Sequence, residues 1–147
     1  MEDFKNYLSD IFTKEELLFF LNELNFLEKS IFKKEKKELQ INLSEKTRKF
    51  FLSLPPQGEK QQRFIKKLKK ILLSLPQVKI TLAFSPSKEF IKEMALWLER
   101  RLKRKIILEI FVRPEIGGGA ILEYEGKYLD FSLRKKIKEI LRNEGRF

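Results

Sequence analysis

The sequence predicts an α+β fold: a small N-terminal helical bundle followed by a small mixed β-sheet covered by two helices. Three observations predict it. Apolar residues through the first half recur at intervals of three and four, the repeat of a helix with one buried face. Beyond Pro76 the pattern turns to period two and to β-branched runs, as strands require. Between those runs lie one helical stripe, a glycine triplet and a tight Glu-Gly turn, so the second half reads strand–helix–strand–strand–strand–helix. The boundary is expected after residue 76, giving a bundle of about four helices over 1–76 and an α/β module over 77–147.

The elements follow in order. A short helix is expected from Phe4 to Phe12. Thr13-Lys14-Glu15-Glu16 has the form of a capping box, in which threonine and the third-following glutamate satisfy each other's exposed backbone donors. Leu17, Phe20, Leu24, Leu27 and Ile31 then form an apolar stripe. The charged run Lys33-Lys34-Glu35-Lys36-Lys37 closes that helix or lies in the loop beyond it. Ser44 is placed to cap a short helix carrying Phe50, Phe51 and Leu54, which Pro55-Pro56-Gln57-Gly58 ends. A further helix from Glu59 to Leu75 carries Phe64, Leu68, Ile71, Leu72 and Leu75 on one side, with Lys66, Lys67, Lys69 and Lys70 largely off it.

In the second half, Val78 to Ala83 alternates as a strand. Ser85-Pro86 offers a hydroxyl for a helix cap and a proline for the first helical position, where its missing N–H costs nothing. The helix that follows presents Ile91, Met94, Ala95, Leu98 and Leu102 along one face. Residues 105–112 suit a buried strand, Ala120 to Tyr124 another, and Tyr128 to Asp130 a short third after the turn Glu125-Gly126-Lys127. A last helix runs from about Ser132 to Arg142 with Leu133, Ile137, Ile140 and Leu141 on one side. The helical crossover makes the first two strands parallel, and the tight turns make the later ones antiparallel.

Composition narrows the chemistry. The chain of 147 residues has no cysteine and no histidine, so disulfides, thiolate nucleophiles and the commonest metal ligand are excluded. No cofactor and no metal are expected. Fourteen phenylalanines make the core aromatic. The acidic opening Met1-Glu2-Asp3 is unlike a signal peptide, and no apolar run approaches the roughly 20 residues that span a bilayer. A cytoplasmic location without membrane insertion is the expectation. The formal charge of +11 raises nucleic-acid binding as an alternative. That excess divides almost evenly between the halves, however, without the block of like charge that marks a basic tail.

Four features invite a functional reading. Gly117-Gly118-Gly119 lacks the Lys-Ser/Thr pair of a phosphate loop and leads into a strand, so backbone geometry or close packing accounts for it better. Asp130 and Ser132, with Arg134 as an anion clamp, suggest catalysis. Without histidine or cysteine they lack the usual base, and a cap on the last helix explains the pair. Arg100-Arg101-Leu102-Lys103-Arg104-Lys105 is the densest basic cluster, placed where a helix C-terminus favours cations. Trp97 is expected in the core or lining a groove; exposed, it would mark an interface.

The segment Val112-Arg113-Pro114-Glu115-Ile116-Gly117-Gly118-Gly119-Ala120-Ile121-Leu122-Glu123-Tyr124-Glu125-Gly126-Lys127-Tyr128-Leu129-Asp130-Phe131-Ser132-Leu133-Arg134 is similar to the C-terminal signature of the F-type ATP synthase delta subunit family. That family's mitochondrial relative is the oligomycin-sensitivity conferral protein. Pro114, Gly118, Gly119, Asp130, Ser132 and Arg134 fall at matching positions without a gap, and the resemblance spans about residues 78–142. Arg113 stands where the family prefers aspartate, Gly117 where it prefers a large aliphatic residue, and Phe131 where glycine is usual. Pro114, Gly117, Gly118, Gly119, Asp130, Ser132 and Arg134 are thus structural signature residues, with none catalytic and none assigned to partners. The N-terminal half is short beside the family's six-helix domain.

The resemblance implies a non-catalytic, delta-type peripheral-stalk subunit of a proton-translocating ATP synthase. Its implied partners are the N-terminal segments of the alpha subunits and the C-terminal helices of the membrane-anchored b subunits, with no small-molecule ligand. The implied location is the inner face of the cell membrane, reached through the complex.

Overall fold

The helical repeat of the first half folds into four helices among the described residues. The computed structural model describes residues 4–32 and 43–132, together with 135, 137–139 and 142. Helix α1 is Phe4–Leu8, α2 Lys14–Ser30, α3 Glu45–Ser53 and α4 Gly58–Leu73. The run Lys33 to Lys37 lies outside the described residues. Leu17, Phe20, Leu24, Leu27 and Ile31 are all buried, as their spacing predicts. In α4 the buried stripe is Gln61, Ile65, Leu68 and Leu72, one residue out of phase with the expected one at Phe64. The compact, β-branched Ile65 fits the closed interior, whereas Phe64 stays 40% exposed and its ring meets Phe4 at 6.3 Å between centroids. Ile65, Leu68 and Leu72 show no solvent exposure, and each contributes about 1.5–3 kcal/mol by leaving water. Phe50 joins the elements through edge-to-face contacts with Tyr7 at 5.0 Å and Phe20 at 6.5 Å.

A buried carboxylate organises the start of α3. Ser44 is its N-cap, accepting from the Thr47 N–H at 3.3 Å. Glu23 of α2 accepts from the Ser44 N–H and the Ser44 hydroxyl, each at 2.6 Å, and from the Thr47 hydroxyl. A charged group buried this deeply needs such partners, and the N-terminus of α3 adds a favourable dipole. Lys69 of α4 also reaches Glu28 of α2 at 2.7 Å.

The second half builds a four-stranded sheet in the order β2-β1-β3-β4. Its strands are β1 (Gln77–Leu82), β2 (Ile107–Val112), β3 (Ala120–Tyr124) and β4 (Lys127–Asp130). Strands β1 and β2 run parallel, with Ile80 opposite Ile110, while β3 pairs antiparallel with both β1 and β4. Helix α5 (Lys88–Leu102) makes the parallel crossover. Its Ala95 and Leu98 pack with Val78, Ile80, Leu82, Ile106 and Leu108, flanked by Ile91, Met94 and Leu102. The cap of α5 is Ser87, not Ser85: the Ser87 hydroxyl accepts from the Phe90 N–H at 3.1 Å. With two serines flanking Pro86, the chain caps at the later one and leaves Ser85-Pro86 in the preceding loop. The β3–β4 turn has Glu125 and Gly126 both at positive φ, 48° and 74°, as a two-residue hairpin demands.

Residues 135, 137–139 and 142 are helical. The expected helix contacts at Leu133, Ile140 and Leu141 lie outside the described residues.

The chain divides into two compact units, one of Met1–Ile11 with Glu15–Leu75 and one of Phe12–Lys14 with Pro76–Phe147. The second is therefore discontinuous in sequence. The Leu108 N–H donates to the Phe12 carbonyl at 2.8 Å, and Thr13 bridges Leu108 in parallel. Lys14 pairs with Glu109 at 3.0 Å, and the Lys105 ammonium sits 4.6 Å from the Phe12 ring centroid. This short segment lies along the outer edge of β2.

Candidate interaction site

The glycine-marked segment is a piece of backbone engineering. After β2, Pro114 opens a single 3-10 turn, Pro114–Ile116, whose Ile116 side chain is 1% exposed. Gly117 ends that turn at φ 76°, its N–H donating to the Pro114 carbonyl at 3.0 Å. A large aliphatic residue in that left-handed conformation would be strained, so the departure at Gly117 matches its backbone. Gly118 follows, and Gly119 enters β3 at φ 72°. A Cβ on Gly119 would fall onto the carbonyl oxygen of Phe131 and crowd Ser132 Cα at 3.3 Å. The close crossing is fixed by the Phe131 N–H, which donates to the Ala120 carbonyl at 2.8 Å.

Asp130 and Ser132 complete the same joint. The Asp130 carboxylate accepts from the Ser132 N–H at 2.9 Å, and the fully buried Ser132 hydroxyl accepts from the Lys135 N–H at 3.3 Å. Ser132 thus holds the cap, and Asp130 fixes the turn before it. Arg134 lies outside the described residues. The structure brings Gly119 and Ser132 together across the strand crossing; Pro114 and Gly117 shape the approach to it.

The sheet face opposite α5 holds a half-polar hollow of about 260 Å³, lined in part by Lys79, Thr81, Phe111, Arg113, Glu123 and Tyr128. Its charges are of both signs, and Lys79 stands opposite Glu123 in the β1–β3 register. Among the described residues, no group of three or more acidic side chains is placed to hold a metal ion.

The basic cluster is half consumed by the fold. Arg104 pairs with Glu125 and lies 5.4 Å from the Tyr124 ring centroid, while Lys105 pairs with Glu99 at 2.8 Å. Trp97 is not core: it is 51% exposed, with the Arg101 guanidinium 5.6 Å from its ring. It lines a shallow groove of about 430 Å³ on the outer side of α5 with Phe90, Glu93, Met94, Leu96 and Arg100. Sequence reasoning assigned no partner-binding residues. The signal was present, since α5 carries Phe90, Leu96 and Trp97 beyond the single stripe its core contact uses. The helical unit likewise exposes Phe19 and Phe26, at 61% and 44%.

The marked glycines and the Ser132 cap thus shape the backbone, and several aromatic side chains stay exposed on the helices. The chain belongs to the ATP synthase delta (OSCP) subunit family, whose model matches residues 25–143. The match reaches well upstream of residue 78, into α2 and through the rest of the helical unit. Among solved structures, a chain of the Polytomella F-ATP synthase is similar at 17% identity and a TM-score of 0.41, covering 50% of this chain and 94% of that one. A chain of the Toxoplasma gondii mitochondrial ATP synthase hexamer is similar at 11% identity and the same TM-score of 0.41, covering 97% of each. No individual curated protein matches the sequence. Family membership makes this a subunit of the ATP synthase peripheral stalk, and with it part of a membrane-associated complex.

Proposed function

We propose that this chain is the link between the catalytic head and the membrane-anchored b subunits, with no catalytic step of its own. The helical unit engages N-terminal segments of the alpha subunits, and the sheet unit engages the C-terminal helices of b. Its work is mechanical: a head held still against rotor torque converts rotation into ATP synthesis. The family match over residues 25–143 carries this reading. The buried cap and glycine crossing support it, because they spend the marked residues on shape. No helix among the described residues is long and apolar enough to cross a membrane. Attachment at the inner, cytoplasmic face would then come through b.

Reconstitution tests the proposal. The chain is mixed with the alpha subunits and the soluble part of b from its own organism, and complexes are measured by analytical ultracentrifugation. A ternary complex that forms only when the chain is present is the expected result. Independent sedimentation of the three components would refute the link.

A further inference from the structure

We infer that the hollow on the sheet face opposite α5 binds a small phosphomonoester carrying a planar ring, of the size of a nucleoside monophosphate. The hollow measures about 260 Å³ and has an apolar base, where Ile116 is 1% and Ile121 8% exposed. That volume falls just under the roughly 300–1,000 Å³ of sites for drug-sized ligands, so the occupant is small. Five polar side chains line the rest: Lys79, Thr81, Arg113, Glu123 and Tyr128. Among the described residues, none of the five makes a side-chain hydrogen bond or ion pair. Other charged side chains of the same unit do find partners, as Lys14 does in Glu109, Lys105 in Glu99 and Arg104 in Glu125. An apolar floor with a few unanswered polar groups around it is the usual form of a small-ligand site.

Register and charge select the ligand. Lys79 stands opposite Glu109 of β2 on one side and Glu123 of β3 on the other, and Glu109 is already held by Lys14. Arg113 follows Glu109 by four residues, roughly 13 Å along the sheet. Between the two cations, Thr81 and Phe111 lie opposite each other. Two cations and two hydroxyls outnumber the one carboxylate as donors, which suits a phosphate held between Arg113 and Lys79 with the Thr81 hydroxyl donating to it. Phe111, 39% exposed, offers a ring face beside that position, the platform on which a planar base stacks. Glu123 accepts from a ligand hydroxyl at the other end, opposite Tyr128 in the β3–β4 register. Inorganic phosphate alone would leave Phe111 and Glu123 unused, and a simple cation would meet Lys79 and Arg113. The resemblance implies no small-molecule ligand, and the inference departs from it there. It stands apart from the stalk reading, since no partner subunit enters the argument.

The full-length protein is titrated with adenosine monophosphate, p-nitrophenyl phosphate, adenosine and inorganic phosphate, followed by calorimetry and by amide NMR. The inference expects saturable binding of a ring-bearing phosphate, with shifts at Thr81, Phe111 and Glu123. Adenosine and inorganic phosphate should each bind about tenfold more weakly or worse. K79Q and R113Q, both at exposed positions, should each weaken binding by about tenfold or more with the thermal melt unchanged. Phe111→Ala should weaken the ring-bearing phosphates and leave inorganic phosphate as it was. Failure of both ring-bearing phosphates to bind would overturn the inference, as would shifts confined to other surfaces or normal binding by K79Q and R113Q. Adenosine binding as tightly as its monophosphate would remove the phosphate, and inorganic phosphate binding as tightly would remove the ring; either result overturns the assignment. All of these outcomes leave the reconstitution with alpha and b untouched.

Discussion

Gly119 has almost no room to change. Its φ of 72° is strained for any side chain, and its Cβ position is already taken by the Phe131 carbonyl. Gly119→Ala should lose about 1–3 kcal/mol or more, measured as a lower urea midpoint with an unchanged slope. Gly126 sits at a comparable φ of 74° in open space, so Gly126→Ala should cost less, by backbone strain alone. Ser132→Ala removes one cap from a buried position and should cost about 1 kcal/mol in the same assay. The sequence showed that these residues shape backbone. It did not show that Gly119 and Ser132 meet, because that crossing depends on strand register and not on local spacing.

At the scale of elements, Glu23 is the critical polar contact between α2 and α3. Glu23→Ala strands the Ser44 and Thr47 donors and should destabilise the helical unit by about 1–3 kcal/mol, read by chemical denaturation. Glu23→Gln keeps one acceptor and should fall between. At the exposed first turn of α3, the Lys49 hydrogen bond and charge hold the Glu45 carboxyl below its ordinary range. Its folded pKa lies under the unfolded one, so its small contribution is present above the unfolded value and fades as pH falls through the folded one. A carbon-detected NMR titration should place Glu45 below an unpaired surface glutamate, and Lys49→Ala should raise it. Element type was legible wherever a period persisted over several turns, as in α2 and α5. Phase and caps were less so. Phe64 and Ile65 are both apolar, and only packing chooses between them; Ser85 and Ser87 both offer a hydroxyl one step from Pro86. The Phe12–Thr13 pairing left no trace at all, since two residues carry no period and their partner is far away in sequence.

For the whole molecule, the net charge of +11 was the most ambiguous number in the sequence. The excess is spread along the chain, and ion pairs at Lys69, Lys105 and Arg104 take those cations out of any continuous basic patch. Weak binding to mixed-sequence duplex DNA is therefore expected, with a shallow dependence on log salt. A steep slope, roughly one unit for each phosphate contacted, would restore the nucleic-acid alternative. Interaction surfaces are the least legible level of all, because exposure belongs to the fold: Trp97 reads alike in a core and on a groove.

The strip at Phe12–Lys14 also sets a timetable. Lys14 and its partner Glu109 are 95 residues apart in the chain. During synthesis at about 5–20 residues per second, the early segment waits roughly 5–20 seconds before β2 exists to receive it. The helices around it are complete long before then. A fragment starting at Pro76 would lack this strip and expose a bare strand edge, the usual seed of intermolecular pairing. Fragments intended to isolate the sheet should therefore carry residues 12–14 joined in front of residue 76, and those without them should be the ones that precipitate.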